Sequence, residues 1–279
     1  ANDAVVDLKS GGGYGKMYLT NGVNEAVGRL LFDGMDQLSG TWGSTASAAT
    51  YKDDNRFGGV GVLNVQTGAR AWGVDAGGNW SVSGNWLGGV VPQGAYAMAY
   101  FTNAITASRV VTQDFATLSM GNLRFGSPGS YNWTVTNNPI YLVNLVTPVI
   151  NVTSNNSTIM SVIGGDQGFI KAGPGTLVLG NTNTLTGALI ISNGTLGVKA
   201  AGSVTSCTSV TVEAGAQLTI ENTADVIGNG VPVYLKSAGA SYGRIYLTNG
   251  AIEVVEHLYL NGIAQAGGTW GATGSGCRY

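Results

Sequence analysis

GTLVL at 175–179, GTLGV at 194–198 and AQLTI at 216–220 are three versions of one short strand, each entered through a glycine corner. Their leucines, Leu177, Leu196 and Leu218, recur at a spacing of about 20 residues, the length that one turn of a solenoid requires. Between them stand two more β-rich pieces, ALII at 188–191 and SVTV at 209–212. In such a fold each turn lays its strands in parallel on those of the turn below, and the inward Leu, Ile and Val stack into ladders. At about 20 residues and about 4.8 Å per turn, 279 residues would build a rod on the order of 60 Å long.

The pattern extends outward from this stretch. Strand-length pieces at 108–112, 122–125, 131–136, 140–146 and 149–152 are separated by turns such as Gly126-Ser127-Pro128-Gly129, Asn137-Asn138-Pro139 and Ser154-Asn155-Asn156. No segment of a dozen residues keeps a helical period without Gly, Pro or Asn breaking it, so an all-β chain without α-helix is expected. Composition agrees: 45 glycines suit many tight turns, and 44% apolar residues exclude disorder. With only 10% charged residues and a net charge of −2, no basic footprint exists for nucleic acid. No apolar run reaches the ~18 residues needed to cross a bilayer, so membrane insertion is not expected. The N-terminus lacks a charged and then apolar leader, so any export signal has been removed or lies outside these residues.

One block occurs twice. Residues 14–51 read YGKMYLTNGVNEAVGRLLFDGMDQLSGTWGSTASAATY, and 242–279 read YGRIYLTNGAIEVVEHLYLNGIAQAGGTWGATGSGCRY, at a constant offset of 228 (242 − 14). Upstream, Leu8-Lys9-Ser10 matches Leu235-Lys236-Ser237 with a slippage of one position. Such a long self-match points to an object longer than one period, either a tandem-repeat protein or a filament of subunits. The alternative is a duplication inside one domain, giving two related caps. Within the first copy, runs at 16–20 and 29–32 end in Asn21-Gly22 and Asp33-Gly34, so locally paired antiparallel strands are expected.

Four segments follow from this reading. They are a terminal cap holding the first copy (1–70), a Gly/Trp-rich junction (71–95), solenoid rungs (96–227) and the second copy (228–279). In the junction, Trp72, Trp80 and Trp86 can be buried packing or an exposed platform for sugars. The Asp53-Asp54-Asn55 turn offers oxygen ligands, but too few at set spacing for a calcium loop. Cys207 and Cys277 sit outside any metal spacing, and both a free thiol and a disulfide remain open.

The 169–196 stretch resembles a known family. Phe169-Ile170-Lys171-Ala172-Gly173-Pro174-Gly175-Thr176-Leu177-Val178-Leu179, then Asn183-Thr184-Leu185-Thr186-Gly187 and Asn193-Gly194-Thr195-Leu196, is similar to the autotransporter-associated β-strand repeat, with its Lys-x-Gly-x-Gly-Thr-Leu pattern. The resemblance implies a right-handed parallel β-helix (β-solenoid), here with antiparallel hairpin or cap elements at the ends, displayed outside the cell. It carries no catalytic residues to transfer.

Chemistry is sparse. The fifteen acids are scattered, Glu213 is the only one within 169–220, and His257 is the sole histidine, which disfavours paired-carboxylate, His-based and zinc sites. No enzyme activity, cofactor or metal is expected. The leading expectation is a structural subunit of an extracellular filament, sheath or stalk, or one repeat of a giant surface protein, joined to itself end to end through strand edges. Tyr14, Tyr18, Leu19 and Trp42, with their twins Tyr242, Tyr246, Leu247 and Trp270, are the candidate interface or cap residues. A second reading is a glycan-binding adhesin module using Trp72, Trp80 and Trp86. A third is a polysaccharide-acting β-helix enzyme.

Overall fold

The leucines stack as their spacing requires. In the structure, a computed structural model that describes residues 4–65, 69–144, 146–199, 201–221 and 224–272, Leu177 pairs in parallel register with Leu196, and Leu196 with Leu218. All three are fully buried. Their strands, Thr176–Leu179, Thr195–Val198 and Gln217–Ile220, belong to an eight-stranded parallel sheet that runs from Gly78–Asn79 to Arg244–Leu247. A second face is a ten-stranded sheet from Arg70–Ala71 to Ile263–Ala264, parallel except for its last pair. A third face is narrower. It pairs Leu118–Met120, Ile140–Leu142 and Ile163–Gly164, then continues as single bridges, Thr182 to Ser203 and Val204 to Ile227.

Many strands alternate between the interior and water, as Gln217–Ile220 and Trp133–Asn137 do, so one side of each of the three faces feeds a shared interior. One apolar cluster runs unbroken from Trp72 to Ala251. On the long face the shortest step runs from Phe169 to Leu189 and the longest from Arg70 to Ala99, because the corners differ in length. Among the described residues there is no α-helix, only two 3-10 turns at Ser83–Asn85 and Leu87–Gly89.

The stack is shorter than expected. Nine of the ten strands on the long face are parallel, so eight steps span about 40 Å at about 4.8 Å each. The longer rungs use more chain per step, and the block that ends at Val65 builds a separate core of Leu19, Val27, Leu30, Trp42, Phe57, Leu63 and Val65. In that block Asp33-Gly34 closes the expected hairpin between Arg29–Phe32 and Met35–Asp36, with positive φ at both turn residues. Asn21-Gly22 does not close a hairpin. It turns the chain from one face to the next, and Met17–Tyr18 instead pairs in parallel with Phe57–Gly58 while Asn24–Val27 pairs with Val62–Val65. Leu19 and Val27 thereby enter one core from two different sheets, which a single hairpin would not allow.

The Lys-x-Gly-x-Gly-Thr-Leu stretch forms one corner of the stack. Lys171 stands in an inward column between Ile150 and Ile191 and is fully buried. Its ammonium donates to the carbonyls of Ala172 (3.1 Å), Gly173 (2.8 Å) and Asn193 (2.8 Å), clamping two successive rungs. Gly173 has φ +77°, and a Cβ there would collide with the Val152 carbonyl of the rung below.

Candidate assembly site in two copies

The two copies share one local fold. Leu8 pairs with Phe32 in the first, and Leu235 with Leu260 in the second. Gly15 donates to the Lys9 carbonyl at 2.6 Å, and Gly243 to that of Lys236 at 2.7 Å. Both carry the same tight hairpin turn, Asp33-Gly34 and Asn261-Gly262, with positive φ throughout. The Trp42 and Trp270 indoles donate to the carbonyls four positions back, Leu38 at 2.8 Å and Ala266 at 3.2 Å.

Their neighbours differ. The second copy stacks on the rung before it: Val233–Leu235 pairs with Val210–Val212, and Arg244–Leu247 with Gln217–Ile220. Beside these strands the Glu253 carboxylate accepts the N–H groups of Ile227 (2.6 Å) and Val226 (3.1 Å). The first copy is covered on the other side, by Phe57–Gly58 and Val62–Val65. Among the described residues Val5–Leu8, Met17–Tyr18 and Asn24–Val27 are each the end strand of their sheet.

Burial records the same asymmetry. Leu19 is 6% exposed and its twin Leu247 43%, whereas Val23 is 43% exposed and its twin Ala251 8%. Of the candidate residues, Tyr14, Tyr18, Tyr242, Tyr246 and Leu247 lie on the surface. Leu19 and Trp42 are interior packing, Trp42 stacking on Tyr51 at 4.8 Å and meeting Phe32 edge-on at 5.3 Å. Trp270 is half-buried. Sequence reasoning missed Glu25 and Glu253, although the two share a letter at the 228 offset. The letters alone do not show that the carboxylate reaches across to another rung.

The sugar platform is corrected by burial. Trp72, Trp80 and Trp86 are 0%, 0% and 2% exposed, so no indole face is available to stack a sugar. Their N–H groups are satisfied inside, by the carbonyls of Ala76 (3.0 Å), Pro92 (2.9 Å) and Trp80 (2.7 Å). With Phe101 and Trp133 they close one end of the solenoid core.

The acids serve as clasps. Asp33 takes the N–H and hydroxyl of Ser10, Asp54 those of Thr45, Asp75 those of Thr106 and Asp114 those of Ser81. Those bonds from Ser10 hold the Asp33 carboxyl below its ordinary value, and those from Thr45 do the same for Asp54. In the Asp53-Asp54-Asn55 turn, Asp53 pairs with Arg56 at 3.0 Å. Among the described residues no three His, Cys, Asp or Glu side chains gather as metal ligands. Cys207 is a buried free thiol, pushed up to about 11 by burial, and Cys277 lies outside the described residues. His257 is exposed beside Glu256.

The passenger-associated-transport-repeat family matches residues 169–198, the corner and ladder that hold Lys171, Leu177 and Leu196. The chain carries an autotransporter-associated β-helix repeat. A second similarity is longer. Over 163 residues, 58% of this chain, it is 31% identical to the adhesin BmaC autotransporter of Brucella suis biovar 1 (strain 1330). The match spans 4% of that relative's length. No solved structure matches the chain significantly. Among the described residues no helix is long and apolar enough to cross a membrane.

Proposed function

We propose that this chain is a length of extended β-solenoid stalk at a bacterial cell surface, in a protein whose blocks follow one another at the offset that separates Tyr14 from Tyr242. Its work is mechanical: to hold surface far from the cell on a rod that resists bending. One observation carries the reading. Among the described residues the first copy of the duplicated block pairs with strands that follow it and the second with strands that precede it, so superposing them yields an unbroken run in which 217–220, 16–19 and 57–58 are successive strands of one face. The autotransporter-associated repeat and the similarity to an adhesin support a place outside the cell.

A second form of this reading is a filament of separate subunits joined end to end. The stalk reading is tested by small-angle scattering of a chain carrying two successive periods. The longest dimension should grow by about 40 Å at constant cross-section, from nine strands per period on the long face at about 4.8 Å each. Growth in cross-section at unchanged length would refute it.

A further inference from the structure

Where the first block meets the opening rungs, the chain leaves a cleft of about 470 Å3, within the size range of small-ligand sites. One wall is polar, with Ser39, Tyr51, Asn64 and Arg70, and the other is aliphatic, with Leu87 and Val90. We infer that this cleft binds an acidic sugar, a uronate-bearing glycan whose carboxylate is taken by Arg70 and whose hydroxyls meet Ser39, Tyr51 and Asn64. All of these residues lie between positions 39 and 90, so the cleft belongs to the interior of the chain and to neither end.

Each polar group stands on a pinned segment. Tyr51 pairs with Trp42, and its ring stacks on the Trp42 indole at 4.8 Å. Asn64 lies in register between Ala26 and Thr41. Arg70 pairs with Ala99, and Ser39 donates its N–H to the Ala69 carbonyl at 3.2 Å. The recognition groups are thus in place before a ligand arrives, which reduces the ordering cost of binding. Gly40 keeps the edge of Tyr51 clear: its φ is +123°, and a Cβ there would stand 3.1 Å from the tyrosine ring.

The lining selects the ligand. Among the described residues around the cleft, Arg70 is the one cation and no carboxylate stands there, so the local field favours an anion. The guanidinium is half-buried, and burial pushes it down from its ordinary value while the Tyr51 phenol acts the other way. A carboxylate would meet a planar fork already stripped of part of its water. The hydroxyls of Ser39 and Tyr51 and the amide of Asn64 both donate and accept, as a set of sugar hydroxyls requires. Leu87 and Val90, 53% and 49% exposed, offer apolar surface to the C–H side of a ring. Under the stalk reading, on which the site does not depend, the cleft recurs once per period, and contacts of modest affinity add along the rod.

The test is NMR titration of the full chain with methyl β-D-glucuronide and, separately, with the uncharged methyl β-D-glucoside. The uronide should shift the side-chain signals of Asn64, Leu87 and Val90. Arg70→Met should weaken its binding roughly tenfold or more, the loss expected of one charge-assisted hydrogen-bonded contact. Val90→Trp, at an exposed position, should block the cleft and leave the fold intact. The proposal is overturned by the absence of shifts at these residues, by equal shifts from the uncharged glycoside, or by undiminished uronide binding in Arg70→Met or Val90→Trp. Sodium sulfate at equal ionic strength should leave the signals unmoved; sulfate that reproduced the shifts would reveal a site for charge alone and would overturn the assignment as well. None of these results bears on the growth of a two-period rod, so the site and the stalk reading fall separately.

Discussion

Lys171→Ala should lower the stability of the chain by about 3–4 kcal/mol, read as a fall in the urea midpoint at neutral pH. Two losses add. The stem leaves a cavity in an inward column between Ile150 and Ile191, and three corner carbonyls lose their donor. Lys171→Met retains the stem's volume and removes only the cation, so a smaller loss of about 1–2 kcal/mol is expected. A methionine variant as stable as the parent would show that desolvating the ammonium outweighs its three carbonyls.

The same lysine sets a pH dependence of definite sign. Burial pushes its ammonium down from 10.5 to about 8, so between those values the unfolded chain binds the proton and the folded chain does not. Stability then rises with pH from about 8 toward 10.5, by up to roughly 1.4 kcal/mol per unit. Cys207 acts in the opposite sense. Its thiol ionises at about 9.0 unfolded and about 11 folded, so stability falls across that interval. The clean window for Lys171 is therefore pH 8 to 9. The rise there should vanish in Lys171→Met and persist in Cys207→Ala.

Trp80→Ala carries the other large effect, a loss of about 3–5 kcal/mol concentrated at one end of the stack. The indole is fully buried, bonded to the Pro92 carbonyl, and packed at 5.0 Å on Trp86 and 5.5 Å on Phe101. Removing it opens the core beneath the first rungs. Amide exchange should accelerate at Met98–Phe101 and Arg109–Gln113 while Thr195–Val198 and Gln217–Ile220 keep their protection. A variant with unchanged stability would mean that these tryptophans do not cap the core.

What can be read from sequence depends on distance along the chain. Leu177, Leu196 and Leu218 announce their register because their rungs are nearly equal in length. From Arg70 to Ile150 the corners lengthen the rungs unevenly, as the steps Ala99 to Leu123 and Leu123 to Ile150 show, and the same period is hidden. Asn21-Gly22 is the usual hairpin dipeptide and points Met17–Tyr18 to a local partner, whereas the true partner, Phe57–Gly58, lies beyond five intervening strands. An inward lysine breaks the alternation on which the strand reading depends, so the buried role of Lys171 emerges only from the carbonyls around it. In the candidate site the four tyrosines and Leu247 are surface residues that the duplication itself marks. The backbone edges and Glu253, which set the stacking, leave no compositional trace.

The most direct test is a series of distances between spin labels placed at Thr134 and, in turn, at Thr158, Val178, Gly197 and Thr219, which form one column across successive strands. Parallel stacking in register predicts that each step adds about 4.8 Å, so that positions 134 and 219 stand about 19 Å apart. Distances that do not grow with rung number, or that shorten on the third or fourth step, would mean the strands close on themselves instead of rising along an axis.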